Sequence, residues 1–215
     1  MSEPDAYAAL HAAIVAGALS PGERLVEEEL AEKLGYSRGA VRGAILRLGH
    51  EGLVSRERNR GARVRRFTVE EAVEILEARA ALESLAAGYA ALRRTDGEAD
   101  ELLALVAEME RLQGAGELLA MSERNAVMHR RILEISGHQV ARDICSRLHS
   151  QVVRFQFRTV LAPGRSTRSL AEHGEIVRAI AAGERDAAER AMREHLTNVA
   201  SVLAEVAAPD RVVAL

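Results

Sequence analysis

The hydrophobic positions of this chain change their period once. Between residues 5 and 17 the apolar side chains Tyr7, Leu10, Ile14 and Val15 share one side of a helix. Ser20-Pro21-Gly22 ends that helix, and Arg24-Leu25-Val26 reads as a short strand. Glu27–Leu34 reads as a short helix with acids in its first turn and Gly35 at the position after its end. Ser37 is a natural N-cap for a second helix running to about Glu51 and closed by Gly52. From Leu53 to Arg66, two extended stretches flank Asn59-Arg60-Gly61, the signature of a hairpin.

After Phe67 only the helical period remains. Thr68-Val69-Glu70-Glu71 has the form of a capping box. Helices are predicted over 69–93, 97–113, 116–136, 138–160, 167–182 and 184–207, with breaks at Gly or Pro between them. The expected fold class is therefore mainly α. Residues 1–66 form a winged helix-turn-helix, and residues 67–215 form an all-α antiparallel helical bundle.

Composition narrows the core. Hydrophobic residues make up 48% of 215, aromatics only 3%, and there is no Trp. A core of Leu, Ala, Val and Ile suits packed helices. The single cysteine, Cys145, excludes an internal disulfide framework and a multi-cysteine zinc site. Only Arg142 and Arg147 offer it basic neighbours, which is thin support for a redox role. The first five residues carry acid and lead into no apolar run, and no stretch is long enough to span a bilayer. A cytoplasmic protein without a membrane partner is expected.

Charge changes the picture more. The net of −3 hides an asymmetry: residues 1–66 carry +2 and residues 67–215 carry −5. Within 38–66, nine Arg face only Glu51 and Glu57, a local net of +7. Such a field attracts polyanions, although charge alone is equally compatible with a solvated face. The element order decides between them. A short helix, a tight turn and a second helix with an Arg-rich start is the arrangement that enters a major groove. Arg38 and Arg42 are four apart and share a helix face. An arginine there can bridge guanine O6 and N7. Leu30, Leu34, Val41, Ile45 and Leu48 supply the apolar faces that lock the two helices together. Ser37 and Arg47 complete the candidate DNA-binding set on the second helix. Arg58, Arg60 and Gly61 supply it at the hairpin tip, against backbone or minor groove.

These residues resemble a known family. Pro21-Gly22-Glu23-Arg24-Leu25, Glu29-Leu30-Ala31, Leu34-Gly35, Ser37-Arg38, Val41-Arg42 and Glu51-Gly52-Leu53-Val54 are similar to the winged helix-turn-helix of GntR regulators. Two departures stand out. Gly39-Ala40 occupies the place of Thr-Pro, and Gly43 that of Glu. Each glycine costs up to ~1 kcal/mol inside a helix. The second half resembles the FCD effector domain of the FadR-like branch through Glu77-Ala78-Arg79 with Glu83, Asn125 with His129, Glu172-His173 and His195-Leu196.

The histidines carry candidate chemistry of their own. His129 stands beside an apolar stripe that contains Asn125, while His173 and His195 complete the stripes of two later helices. One bundle thus receives three imidazoles and an amide. Buried polar groups must find partners, at ~1–3 kcal/mol each if they do not, so these satisfy one another, water or a ligand. A hydrogen-bonded core histidine and a metal ligand both remain open at this point. His11, His50, His138 and His149 fall outside the set and read as surface or packing residues.

The resemblance implies more. It puts a divalent metal on Asn125, His129, His173 and His195, with Zn²⁺ first and Ni²⁺ or Mn²⁺ also open. It implies a small carboxylate effector, met by Arg79 or Arg130. It implies a homodimer on double-stranded DNA with inverted-repeat operators, acting as a repressor. Two rival readings are a metal-dependent enzyme and a non-sensing helical dimer with a DNA-binding head. The enzyme has little support, because no H-E-x-x-H motif, paired Glu-x-x-His motif, phosphate loop or nucleophile elbow is present.

Overall fold

The computed structural model describes residues 3–57 and 61–207. It divides into two compact units, Met1–Thr68 and Val69–Leu215.

The first unit runs α1 (Glu3–Val15), β1 (Arg24–Leu25), α2 (Glu27–Leu34), α3 (Arg38–His50), β2 (Val54–Glu57) and β3 (Gly61–Val64). Gly35 stops α2 in the left-handed conformation, φ 72°, and its N–H reaches back to Ala31 O. Ser37 starts α3 as an extended N-cap whose Oγ accepts from the Ala40 N–H at 3.2 Å. The three strands are antiparallel in the order β1-β3-β2, with Leu25 opposite Ala62 and Ser55 opposite Arg63. Leu10, Ile14, Leu30, Val41, Ile45, Leu48, Val54 and Val64 close one core beneath helices and hairpin. Leu34, expected among them, packs only at its edge. Gly22 is required where it stands. Its φ is +83°, and a Cβ there would lie 2.3 Å from Arg66 Nε. Two helices at a tight turn followed by a hairpin make a winged helix-turn-helix.

Among its described residues the second unit has helices as its regular elements: α4 (Val69–Arg93), α5 (Asp96–Gly114), α6 (Leu118–Ile135), α7 (Gln139–Val160), α8 (Arg165–Ala182) and α9 (Arg185–Ala207). Its largest core unites Leu102, Met109, Met128, Ile132, Ile176, Ile180 and Met192. Small residues let α4 and α9 approach closely. Ala87, Ala90 and Ala91 are buried on α4, and a Cβ on Gly88 would meet Glu189 Cγ at 2.5 Å. A full capping box opens α5: Thr95 Oγ1 accepts from Glu98 N–H, and the Glu98 carboxylate accepts from Thr95 N–H. Two cations tie the bundle at helix C-termini, where carbonyls lack partners. Arg94 donates to Ala181 O at 2.6 Å, and Arg93 donates to Ser136 O at 2.5 Å. No described helix is long and apolar enough to cross a membrane.

Candidate functional site

Three helices deliver one imidazole each to the middle of the bundle: His129 from α6, His173 from α8 and His195 from α9. All three are buried, and each offers a nitrogen within 4.8 Å of the others'. His173 Nε2 lies 3.2 Å from His195 Nε2. The His129 ring stands edge-on to His173, with centroids 5.6 Å apart.

Two carboxylates orient the rings. Glu83 on α4 accepts from His129 Nδ1 at 2.6 Å and from Arg79 Nε at 2.7 Å. Glu172 on α8 accepts from His195 Nδ1 at 2.7 Å, from both terminal nitrogens of Arg165 at 2.9 Å, and from Asn198 Nδ2. A proton fixed at Nδ1 leaves the Nε2 lone pair of that ring for another partner. His195 therefore presents the lone pair of its Nε2 toward Nε2 of His173, 3.2 Å away. His173 Nδ1 is buried without a hydrogen bond.

Electrostatics keep the centre free of positive charge on two of its rings. Burial first, then the adjacent imidazoles, hold His173 well below the ordinary histidine pKa. Burial, His129 and Arg165 do the same for His195. Burial alone would raise the Glu83 carboxyl, but Arg79 and His129 outweigh it and hold it well below the usual carboxylate range. The Cys145 thiol is pushed up to about 12 by burial and by Glu83, so it is no nucleophile.

This centre fits a metal ion. Neutral imidazoles are the form that ligates. Two nitrogens, each ~2.05 Å from one tetrahedral ion, stand about 3.3 Å apart, close to the 3.2 Å between His173 and His195. Asn125 Oδ1 is buried without a partner, and Asn125 lines the same cavity of about 40 Å³ as the three histidines.

The cavity sorts the expected arginines. Arg79 is 2% exposed, lines the cavity and keeps Nη1 without a partner. Its pairing with Glu83 is buried rather than a weak surface contact. Arg130 is exposed on α6 and is not among the lining residues. Sequence reading missed Arg165, which is 3% exposed and lines the cavity with Thr159 and Ser169. It also missed the orienting roles of Glu83 and Glu172. A carboxylate at the position before His173 was the available signal for Glu172. Arg165 follows Pro163-Gly164 and looks like a loop residue in the sequence. His149 is expected at the surface or in packing. It is half-buried, and burial with Arg79 nearby holds it down to about 4.

In the first unit, Arg38 and Arg42 project from α3, with side chains 60% and 64% exposed. They line a concave face of about 440 Å³ with Arg24, Arg56, Leu46 and Gly61. Arg24 and Arg56 were not singled out from the sequence. The polar-then-apolar alternation of Arg24-Leu25 was the signal for the first. Ser37 is engaged as the N-cap of α3. Arg47 stands apart from the concave face. Its guanidinium lies 3.7 Å over the Tyr7 ring and pairs with Glu51. The candidates Arg58 and Arg60 lie outside the described residues.

Residues 4–64 match the profile of "Bacterial regulatory proteins, gntR family", and residues 74–198 match that of the FCD domain. The chain belongs to the GntR family. Its FCD domain places it in the FadR-like branch.

Among curated GntR relatives, the HTH-type transcriptional regulator LutR of Bacillus subtilis is 29% identical, over 87% of this chain and 94% of that protein. The putative L-lactate dehydrogenase operon regulatory protein of Escherichia coli is 30% identical, over 84% and 78%. The fold matches that of E. coli McbR/YncC, with a TM-score of 0.79 at 21% identity over 94% of this chain and 97% of that one. This GntR protein is a DNA-binding transcription regulator, and the enzyme reading is set aside.

Proposed function

We propose that this regulator tunes its DNA affinity through a divalent metal and a small carboxylate held inside the FCD bundle. One observation carries the reading: three buried imidazoles on three helices bring a nitrogen each within 4.8 Å of one another. His129, His173 and His195 would hold the ion, with Asn125 Oδ1 as a neutral fourth donor. A bound ion supplies a Lewis-acid position for a carboxylate oxygen. Zn²⁺ stands first for an imidazole-rich site, with Ni²⁺ and Mn²⁺ as alternatives.

Arg79 supports the anion reading, because its Nη1 is buried, unpartnered and in the cavity wall. A buried guanidinium donor of this kind suits a carboxylate. Space sets a limit. A single water needs ~10–15 Å³, so about 40 Å³ takes an ion and a few ligand atoms. Anything larger must displace lining side chains. The relative named for an L-lactate dehydrogenase operon fits control by a small acid.

Arg38 and Arg42 would read base edges, with Arg24, Arg56 and Gly61 against the backbone. Two copies on an inverted repeat would place one winged helix per half-site. Relatives named as repressors, RspR and GlaR of E. coli, support repression. An effector changes DNA affinity only by its differential binding to the two states of the dimer, typically ~1–3 kcal/mol.

Titration of metal-stripped full-length protein with ZnCl₂ in a calorimeter tests the site. One ion per chain is expected, lost in His173→Ala with helical circular dichroism retained. Equal metal uptake by that variant rejects the site.

A further inference from the structure

Both arginines that α3 presents on the concave face are already paired with acids from the first turn of α2. Arg42 donates from Nε at 3.0 Å and from Nη2 at 2.9 Å to the same oxygen, Oε2 of Glu27. Arg38 Nη2 stands 2.5 Å from Glu28 Oε1. All four side chains line one concavity and are at least 37% exposed. First-turn acids on a helix are ordinarily accounted for by its dipole. That account does not explain why these two reach across the turn to the recognition arginines.

The donor geometry is specific. A guanidinium has five N–H groups in a fixed fork. Glu27 uses the Nε hydrogen and one on Nη2, so the outer Nη1/Nη2 edge of Arg42 stays free. That edge is the one a guanine O6/N7 pair takes. The contact uses Oε2 and leaves Oε1 of Glu27 outside it. The cytosine paired to that guanine offers an N4–H₂ donor in the same groove, and a carboxylate accepts from it.

We propose that Glu27–Arg42 and Glu28–Arg38 each act as one reading unit for a single G·C base pair. In each, the arginine takes guanine and the glutamate takes the paired cytosine. The acids also oppose phosphate. A recognition arginine released from its glutamate is free to bind any backbone, so the pairs hold down non-specific affinity. This inference rests on the proposal that Arg38 and Arg42 face base edges, and the test separates the two.

Full-length wild-type protein is used to enrich a randomised 24-base-pair duplex pool, and base preference is scored column by column. Arg42→Ala and Glu27→Ala should relax the same G·C column, and Arg38→Ala and Glu28→Ala a second one. Each column's discrimination should fall about 5- to 150-fold, and each double variant should lose no more than its arginine variant. Glu27→Gln and Glu28→Gln keep the side-chain shape and serve if an alanine variant loses helical circular dichroism. They too should relax the same columns. If the arginine variants change no column, the base-reading assignment fails. If the arginine variants relax columns that the glutamate variants leave intact, the paired reading alone is overturned. A uniform gain in affinity for every duplex with no column relaxed in the glutamate variants also overturns it, because the acids would then be mere counter-charges.

Discussion

Nε2 of His173 stands 3.2 Å from Nε2 of His195, with both rings sealed from water. Neither ring accepts a second proton readily in that position. In the unfolded chain the same imidazoles titrate near pH 6.5. Folded, both are held well below that value, first by burial and then by neighbouring charge. Below about pH 6.5 the unfolded state therefore binds more protons than the folded state, and stability falls as pH falls.

Each of these histidines contributes a slope of up to ~1.4 kcal/mol per pH unit. His149 adds to the loss until its folded value of about 4 is reached. Glu83 acts lower: its carboxylate contributes stability above its unfolded value of ~4.3, lost as pH falls further. The urea midpoint of metal-stripped protein should drop steadily from pH 7 to 5. A level midpoint across that range would mean that the rings are solvated.

Glu83 is the counter-charge of a buried guanidinium and the orienting partner of His129. Glu83→Gln should cost ~3–5 kcal/mol, the usual cost of stranding one member of a buried pair. It should also weaken Zn²⁺ binding by about 10- to 100-fold, because His129 loses its carboxylate. Glu101→Gln removes an exposed partner of Arg131 and should cost under ~1 kcal/mol. Urea denaturation of both variants checks the contrast, and equal losses would deny Glu83 its special place.

The sequence carried the fold well because its punctuation is local. Gly35 and Gly52 end helices by their backbone conformation, Ser37 starts one with its hydroxyl, and the helical period of 69–207 is unbroken within each element. His173 and His195 were legible for the same reason, since each completes an apolar stripe. Arg165 was not. Its burial depends on α8 starting at residue 165 and turning the guanidinium toward Glu172, which no local pattern records. The first-turn acids of α2 were visible, but their partners lie ten and fifteen residues away across a turn. Helix spacing also sets Arg47 apart. It shares the basic helix with Arg42, yet its spacing points it at Tyr7.

That difference between two arginines of one helix is measurable. Arg42 is 64% exposed on the concave face, and Arg42→Ala should cost ~1–3 kcal/mol in operator affinity and blur one base preference. Arg47 lies against Tyr7 and Glu51. Arg47→Ala should leave base preference intact and cost ~0.5–1 kcal/mol of stability through the lost cation–π contact. Fluorescence anisotropy with matched and mismatched duplexes, beside thermal melts, distinguishes them. A change of base preference in Arg47→Ala would place its side chain in the groove.

Gly39 offers the opposite sign of change. It sits in the first turn of α3, where the backbone is helical and φ is not positive. A Cβ added there meets only Ser37 Oγ, at 4.0 Å, an ordinary van der Waals distance. Nothing in the packing therefore demands glycine. Alanine would reduce the freedom of the unfolded chain and favour the helix. Gly39→Ala should raise the stability of the winged helix by ~0.5–1 kcal/mol. The Ser37 cap, which bonds to the next residue's N–H, stays in place. Urea denaturation followed by circular dichroism reads the gain. A loss of stability would show that the start of α3 depends on a conformation that a side chain cannot take.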